Sequence, residues 1–493
     1  LAAINTENAN QTLLTALTRE SDRSIQQKLI NALGQTGYTQ AESELLALLS
    51  QNIAPDFNKS AITALTQVGT IHSLPVLKKA AEMSDFKYTG KEDIAAQYIM
   101  LLNRLAQTNP KEVSKEANNL LSVATKSNNN DLKVAASQIL MNVPTTKPLN
   151  ILKNALKDDD MQYLTGVLNA GVYESDKKAI NLIMNQLTPK APPQKQTVLI
   201  YWLGNKQIAG AVDNIAPFAV SPNKMVQKAA IHSLAQIGNE QAMLALAGLL
   251  KSSDSETIAL AQNALSTYDG DIAYTLASVF DQSNDTAQTA ILQLIADRKM
   301  ESQYNLVYNQ LFTENETLKS AAASTLKHVS SKENLSDLFT LLEQSETQYI
   351  PAIQQAVNSV LNTLPVEEQL ELVAEKMEHS TNKHLYFNLL ANSKSPQALN
   401  AIMHAYETES GANKAAAFDA LTGWGEFEVI YPLLDIARKS SNKQDLAKIT
   451  DALIPTITKS DNTGAVKYLY LRETMANEGP SRGRILRTCR AGP

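Results

Sequence analysis

The sequence predicts an all-α fold, a single stack of about fourteen helical hairpins. Three observations carry that prediction. One short string recurs along almost the whole chain. Its step fits two helices and two turns. The apolar residues inside each copy keep the helical period.

The string is a small residue, an aliphatic, two variable positions, a Leu and a short polar exit, often with Gly. It reads "KLINALGQTG", "SAITALTQVG", "AAIHSLAQIG", "LAQNALSTYDG", "TAILQLIADRK", "AAASTLKHVS" and "AAFDALTGWG". Indexed by its anchor leucine, the series is Leu1, Leu33, Leu65, Leu102, Leu140, Leu168, Leu203, Leu234, Leu265, Leu294, Leu326, Leu361, Leu390, Leu421 and Leu453. Steps run from 28 to 38 residues, most of them 29 to 32. A step of that size holds two helices of about 11 residues and two short turns.

Both helices are readable around Leu234. Residues 225–237 place Val226, Ala230, Ile231, Leu234 and Ile237 on one stripe, and residues 240–251 do the same with Met243, Leu244, Leu246, Ala247 and Leu250. Small residues ahead of the anchor, Ala61, Ala230, Ala261, Ala322 and Ala416, predict close approach of neighbouring helices. Gly37, Gly69, Gly238 and Gly425 each lie four residues after an anchor. There glycine is expected to stop the helix in the left-handed conformation. Pro55, Pro110, Pro222 and Pro432 fall between helical runs or at their starts. One hairpin cannot bury its own apolar stripe, so neighbours must stack into a continuous core, as an elongated superhelix.

Composition agrees. The chain is 44% apolar with only 5% aromatic residues, which disfavours sandwiches and barrels. Its net charge of −6 gives no reason to expect a phosphate-rich partner. No apolar run reaches the roughly 18 residues of a membrane span, and the N-terminus shows no signal-peptide pattern. The one cysteine, Cys489, cannot form an intramolecular disulfide or a cysteine-based zinc site.

On these strings the chain resembles the HEAT-repeat superfamily, with the short HEAT-like repeat of the bilin-lyase type as a close relative. The resemblance covers residues 1 to about 475 and implies a right-handed α-α superhelix of HEAT/armadillo type. More narrowly, "LAAINTENANQTLLTAL", "IHSLAQIGNEQAMLALAGLL", "ALSTYDGDIAYTLASVF" and "AFDALTGWGEFEVIYPLLDIA" resemble exported Bacteroidetes proteins. In that group a HEAT-like segment precedes a 3-keto-disaccharide hydrolase domain. The resemblance implies a periplasmic or otherwise exported setting and carbohydrate metabolism. No β-rich hydrolase segment follows residue 475, so no catalytic residue is carried over.

Two ends stand out. The first residues match the anchor and exit of a repeat, with Leu1 placed like Leu65 and Ile4 like Val68. The chain is therefore expected to begin inside a second helix, as a fragment of a longer protein. Residues 476–493 form a basic tail containing Arg482, Arg484, Arg487 and Arg490. It reads as a disordered, vector-derived or out-of-frame segment in preference to a nucleic-acid arm, which would interleave aromatics.

Candidate chemistry is sparse. His379 and His384 are five apart, where a zinc pair on one helix wants three or four. They read as solvated helix ends, and His232 and His328 as surface positions. Asp158, Asp159 and Asp160 lack the alternation and glycine turn of a calcium loop, and read as a solvated loop or the negative start of a helix. No phosphate cradle, G-x-S-x-G or H-E-x-x-H occurs, so no catalytic, cofactor or metal residue is assigned. Trp424 reads as core or turn packing. Trp202, beside Tyr201, stands where other copies are mostly small or apolar (Ala32, Ala264, Ala420), so it either protrudes or fills a gap. The steps around Leu102 are long, which marks "SDFKYTGKED" (84–93) as an insertion carrying Phe86 and Tyr88. Phe86, Tyr88, Tyr201 and Trp202 are the candidate partner contacts.

The expected function is a non-catalytic scaffold that holds a protein partner, or another domain of the same polypeptide, on the face lined by second helices. The alternative is an enzyme on this fold, of lyase or DNA-glycosylase type, with its site on that same face.

Overall fold

The computed structural model describes residues 2–51, 55–88, 90, 93–171 and 173–459. Among them are twenty-eight α-helices, ten short 3-10 turns and no strand. The helices pair into fourteen hairpins, the number the repeat step requires. Every anchor from Leu33 to Leu453 lies on the second helix of its hairpin, and all fourteen are at most 5% exposed.

Contacts divide the chain into two compact units, residues 1–242 and 243–493. In the first unit the second helices pack in series. Arg23–Thr36 meets Pro55–Val68, then Ile94–Leu105, Asn130–Asn142, Met161–Ala170, Pro193–Asn205 and Lys224–Ile237 follow. In the second unit the series is Ser255–Ser266, Asp285–Asp297, Glu316–Val329, Ile350–Leu361, Phe387–Asn392, Gly411–Thr422 and Lys443–Lys459. The first helices flank these rows and bury their stripes against them.

The second helices start where a side chain can accept from the free N–H groups of the first turn. Asp22, Asn129, Asp160, Asn223, Asp254, Asn284 and Asn315 each cap one. Each such cap contributes about 1 kcal/mol. Pro55 and Pro110 open their helices, where the missing N–H costs nothing.

The stops are more varied than the sequence suggests. Gly37, Gly238 and Gly425 have φ of 69°, 58° and 76°, as expected. Gln207 and Lys394, also four residues after an anchor, adopt the same conformation with φ of 49° and 53°. Gly69 does not. A Cβ there would sit 2.4 Å from the Leu65 carbonyl oxygen and 2.7 Å from Ser73 Oγ, so Gly69 is required by crowding.

Three further readings change. Leu244 is 52% exposed, because the buried stripe of Glu240–Gly248 runs through Ala242, Met243, Leu246 and Ala247. Ala416 is only half-buried, and Ala417, four residues before Leu421 like its counterparts, is the small residue in the core. Ile4 is 63% exposed while Val68 is fully buried, so Ile4 does not take the role assigned to it. Leu1 and the tail 476–493 lie outside the described residues.

Candidate functional site

The first unit carries a groove of about 1040 Å³ across three consecutive second helices, Ile94–Leu105, Asn130–Asn142 and Met161–Ala170. Ala96, Ile99, Met100, Val134 and Met161 supply apolar surface, with Met100 43% exposed. Asn103, Gln138, Gln162 and Asn169 supply primary amides, and Asp131 a carboxylate. Tyr88 borders it from the inserted segment. Burial, together with the nearby Asp131 charge, raises the Tyr88 phenol above its ordinary range.

The groove is held by ties between the hairpins. At Gly166 a Cβ would lie 2.3 Å from Val134 Cγ2, so glycine sets how closely the second and third helices approach. Lys133 Nζ pairs with Asp158 at 2.5 Å and lies 4.0 Å from the Tyr163 ring centroid. Ser137 Oγ and Tyr163 Oη hydrogen-bond at 3.0 Å. Asn142 Nδ2 donates to Asn103 Oδ1 at 3.1 Å. Beneath the first of the three helices, Lys78 and Tyr98 both donate to Glu116 Oε2, at 2.8 and 3.0 Å. Burial alone would raise the Glu116 carboxyl, but these donors hold it below its usual range. Tyr98, buried against the same carboxylate, is pushed upward.

The acidic run resolves into structural roles. Asp160 accepts from the Tyr163 amide at 2.9 Å as the cap of its helix, and Asp158 takes the Lys133 ammonium. Both serve to fix the third wall of the groove.

The four candidate contacts separate. Tyr88 borders the groove, and Tyr201 is 38% exposed with its ring 5.9 Å from that of His232. Phe86 is 8% exposed, folded under its loop by left-handed backbone at Asp85 and Phe86, so its ring offers a partner little surface. Trp202 is 4% exposed and fills a gap: its Nε1 donates to the Leu168 carbonyl at 3.0 Å. Ser233 and Thr325, also just before their anchors, reach the preceding second helix in the same way, through Ile200 and Leu292 carbonyls. That position is therefore a recurring cross-link. Trp424 is buried, as read, with Lys394 Nζ 5.2 Å from its ring centroid.

The histidines do not converge. His379 ends the helix Val366–His379. His384 lies in a 3-10 turn, its amide bonded to Asn413 Oδ1. His328 is half-buried instead of lying on the open surface. It lines a polar groove of about 640 Å³ with Gln293, Ser320, Ser324 and Lys327 in the second unit. Burial there, reinforced by the Lys327 and Lys299 charges, lowers its pKa. A neighbouring recess of about 510 Å³ shares Ser320, Ser324 and Lys327 with it and adds Gln348 and Gln355.

A second device was not legible as a site. Arg104 donates to the carbonyls of Thr66 (3.1 Å) and Gly69, at the C-terminal end of the preceding second helix. Arg298 does the same to Leu265 (3.3 Å) and Gly270 (2.5 Å). A guanidinium against terminal carbonyls satisfies orphan acceptors and the negative end of the helix dipole. Arginine is scarce before residue 460, and that scarcity is the one mark these two residues carry in the sequence.

Among solved structures the chain is similar to Kap121p bound to RanGTP, at 13% identity and a TM-score of 0.38, over 97% of this chain and 73% of that one. It is also similar to importin beta in an ammonium sulfate condition, at 12% identity and 0.32, over 99% and 73%. A third is Kap121p bound to Nup53p, at 14% identity and 0.36, over 97% and 69%. No curated protein matches. A family model for HEAT repeats matches residues 10–92 and 180–266.

Proposed function

We propose that this chain is a non-catalytic scaffold that holds a protein segment, from a partner or from another domain of the same polypeptide, on its second-helix face. The observation that carries the proposal is the groove of the first unit. It combines apolar surface, primary amides and one carboxylate, which suits contact and supplies no nucleophile–base pair among the described lining residues. A DNA-glycosylase reading would want a run of Lys and Arg along such a face. Asp131 in one groove, and Glu316, Lys327 and His328 in the others, do not supply it. The narrower sequence resemblance supports an exported, periplasmic setting beside a carbohydrate-processing domain. The parent reading frame tests that part directly.

The scaffold reading is tested by site-specific photocrosslinking in the native host. A photoreactive side chain replaces Gln138 or Lys327 on second helices, and Leu244 or Tyr274 on first helices, all exposed positions. Protein crosslinks concentrated at 138 and 327 are expected. Crosslinks confined to 244 and 274, or none at all, would sink the reading.

A further inference from the structure

The scaffold reading leaves open what the first-unit groove would hold. Resting on it, we propose that the groove takes an extended peptide segment of about five or six residues, with apolar side chains on alternate positions and a Lys or Arg set against Asp131.

Three neighbouring helix axes spaced about 8–10 Å apart span about 16–20 Å. At about 3.3 Å per residue, five or six residues of extended chain cover that span.

Chemistry selects the composition. The floor of Ala96, Ile99, Met100, Val134 and Met161 takes apolar side chains, and methionine adapts its shape to them. Gln138 and Asn169 engage no other described residue. Each primary amide offers a donor and an acceptor, the complement of a backbone peptide group. An extended guest has such groups free, whereas a helix has already spent its own.

Asp131 is the only formal charge among the described lining residues. The nearest cation in sequence, Lys133, is already paired with Asp158, and Asp131 receives only a 3.4 Å contact from Gln162 Nε2. The matching cation is left for the guest to bring. At an exposed rim such a charge governs selectivity and orientation more than affinity.

The test is selection of a displayed random decapeptide library on the full-length chain. Enriched peptides should alternate apolar residues and carry a Lys or Arg. They should bind Met100→Glu at least tenfold more weakly, about 1.4 kcal/mol. Asp131→Lys should switch the preference from basic to acidic peptides, and Gln138→Glu should sharpen the basic preference. All three positions are exposed, and unchanged far-UV circular dichroism checks folding. Peptides that bind Met100→Glu equally well, that are acidic on the unaltered chain, or that become helical when bound would overturn the proposal. No enrichment, with crosslinks persisting at position 327, would remove this groove's assignment and leave the scaffold standing. Loss of crosslinks at both 138 and 327 would remove both.

Discussion

At Glu42 a buried carboxylate accepts from the Thr70 amide (2.6 Å), Thr70 Oγ1 (2.8 Å) and Ser73 Oγ (2.5 Å), tying the first helix of one hairpin to the exit turn of its second. Burial raises its pKa, but the donors from Ser73 and Thr70 outweigh that and hold it below the ordinary value. A carboxyl depressed on folding stabilises the protein above its unfolded pKa, and that stability is lost as pH falls through the folded value. Glu42→Ala should therefore cost about 1–3 kcal/mol at pH 7, by stranding the donors, and less near pH 3. Urea unfolding at both values checks this; an equal cost at both would refute the linkage. Lys299 carries the opposite prediction. It holds a left-handed φ of 50° that costs an L-residue about 1–2 kcal/mol. Allowing for glycine's greater chain entropy, Lys299→Gly should raise stability by up to about 1 kcal/mol, read as a higher Tm. Trp202 shows how far a residue can be read from sequence. Its oddness was visible in "YWLG", but its Leu168 partner lies one repeat away. Trp202→Phe should cost about 0.5–1.5 kcal/mol for the lost bond, and Trp202→Ala about 3–5 kcal/mol.

Between elements the governing quantity is how closely successive second helices approach. Gly34 would place a Cβ 2.9 Å from Ala64 Cα, Gly166 one 2.3 Å from Val134, and Gly204 one 2.4 Å from Ser233 Cβ. Glycine at these points lets its own backbone lie directly against a residue of the neighbouring second helix. Gly166→Ala should push Asn130–Asn142 and Met161–Ala170 apart at a cost of about 1–3 kcal/mol. Val134→Ala should recover part of it, so the double-mutant cycle should show coupling; strict additivity would mean that the close approach is not what matters. The helix register was legible because each anchor obeys the period of its own helix. The spacing of neighbouring helices was only hinted at by small residues, since contact across a gap depends on which partner stands opposite.

In a stack of hairpins each repeat leans only on its neighbours, so a lesion should stay local. Arg104→Ala frees the Thr66 and Gly69 carbonyls, and hydrogen exchange should rise across Pro55–Leu105 while residues beyond 243 keep their protection. Uniform acceleration would instead mark the chain as one cooperative block. The sequence by itself determined the all-α class, the hairpin count and the buried anchors, because those follow from helical period and repeat step. It also marked the 84–93 insertion, of which Tyr88 reaches the groove. Tertiary structure alone decided that Trp202 and Phe86 turn inward, that Gly69 serves crowding, and that residues from three repeats share one recess. The Trp202 bond and the shared recess depend on atoms about thirty residues apart in sequence, brought together by stacking, and no local pattern encodes which side chain will stand across from which.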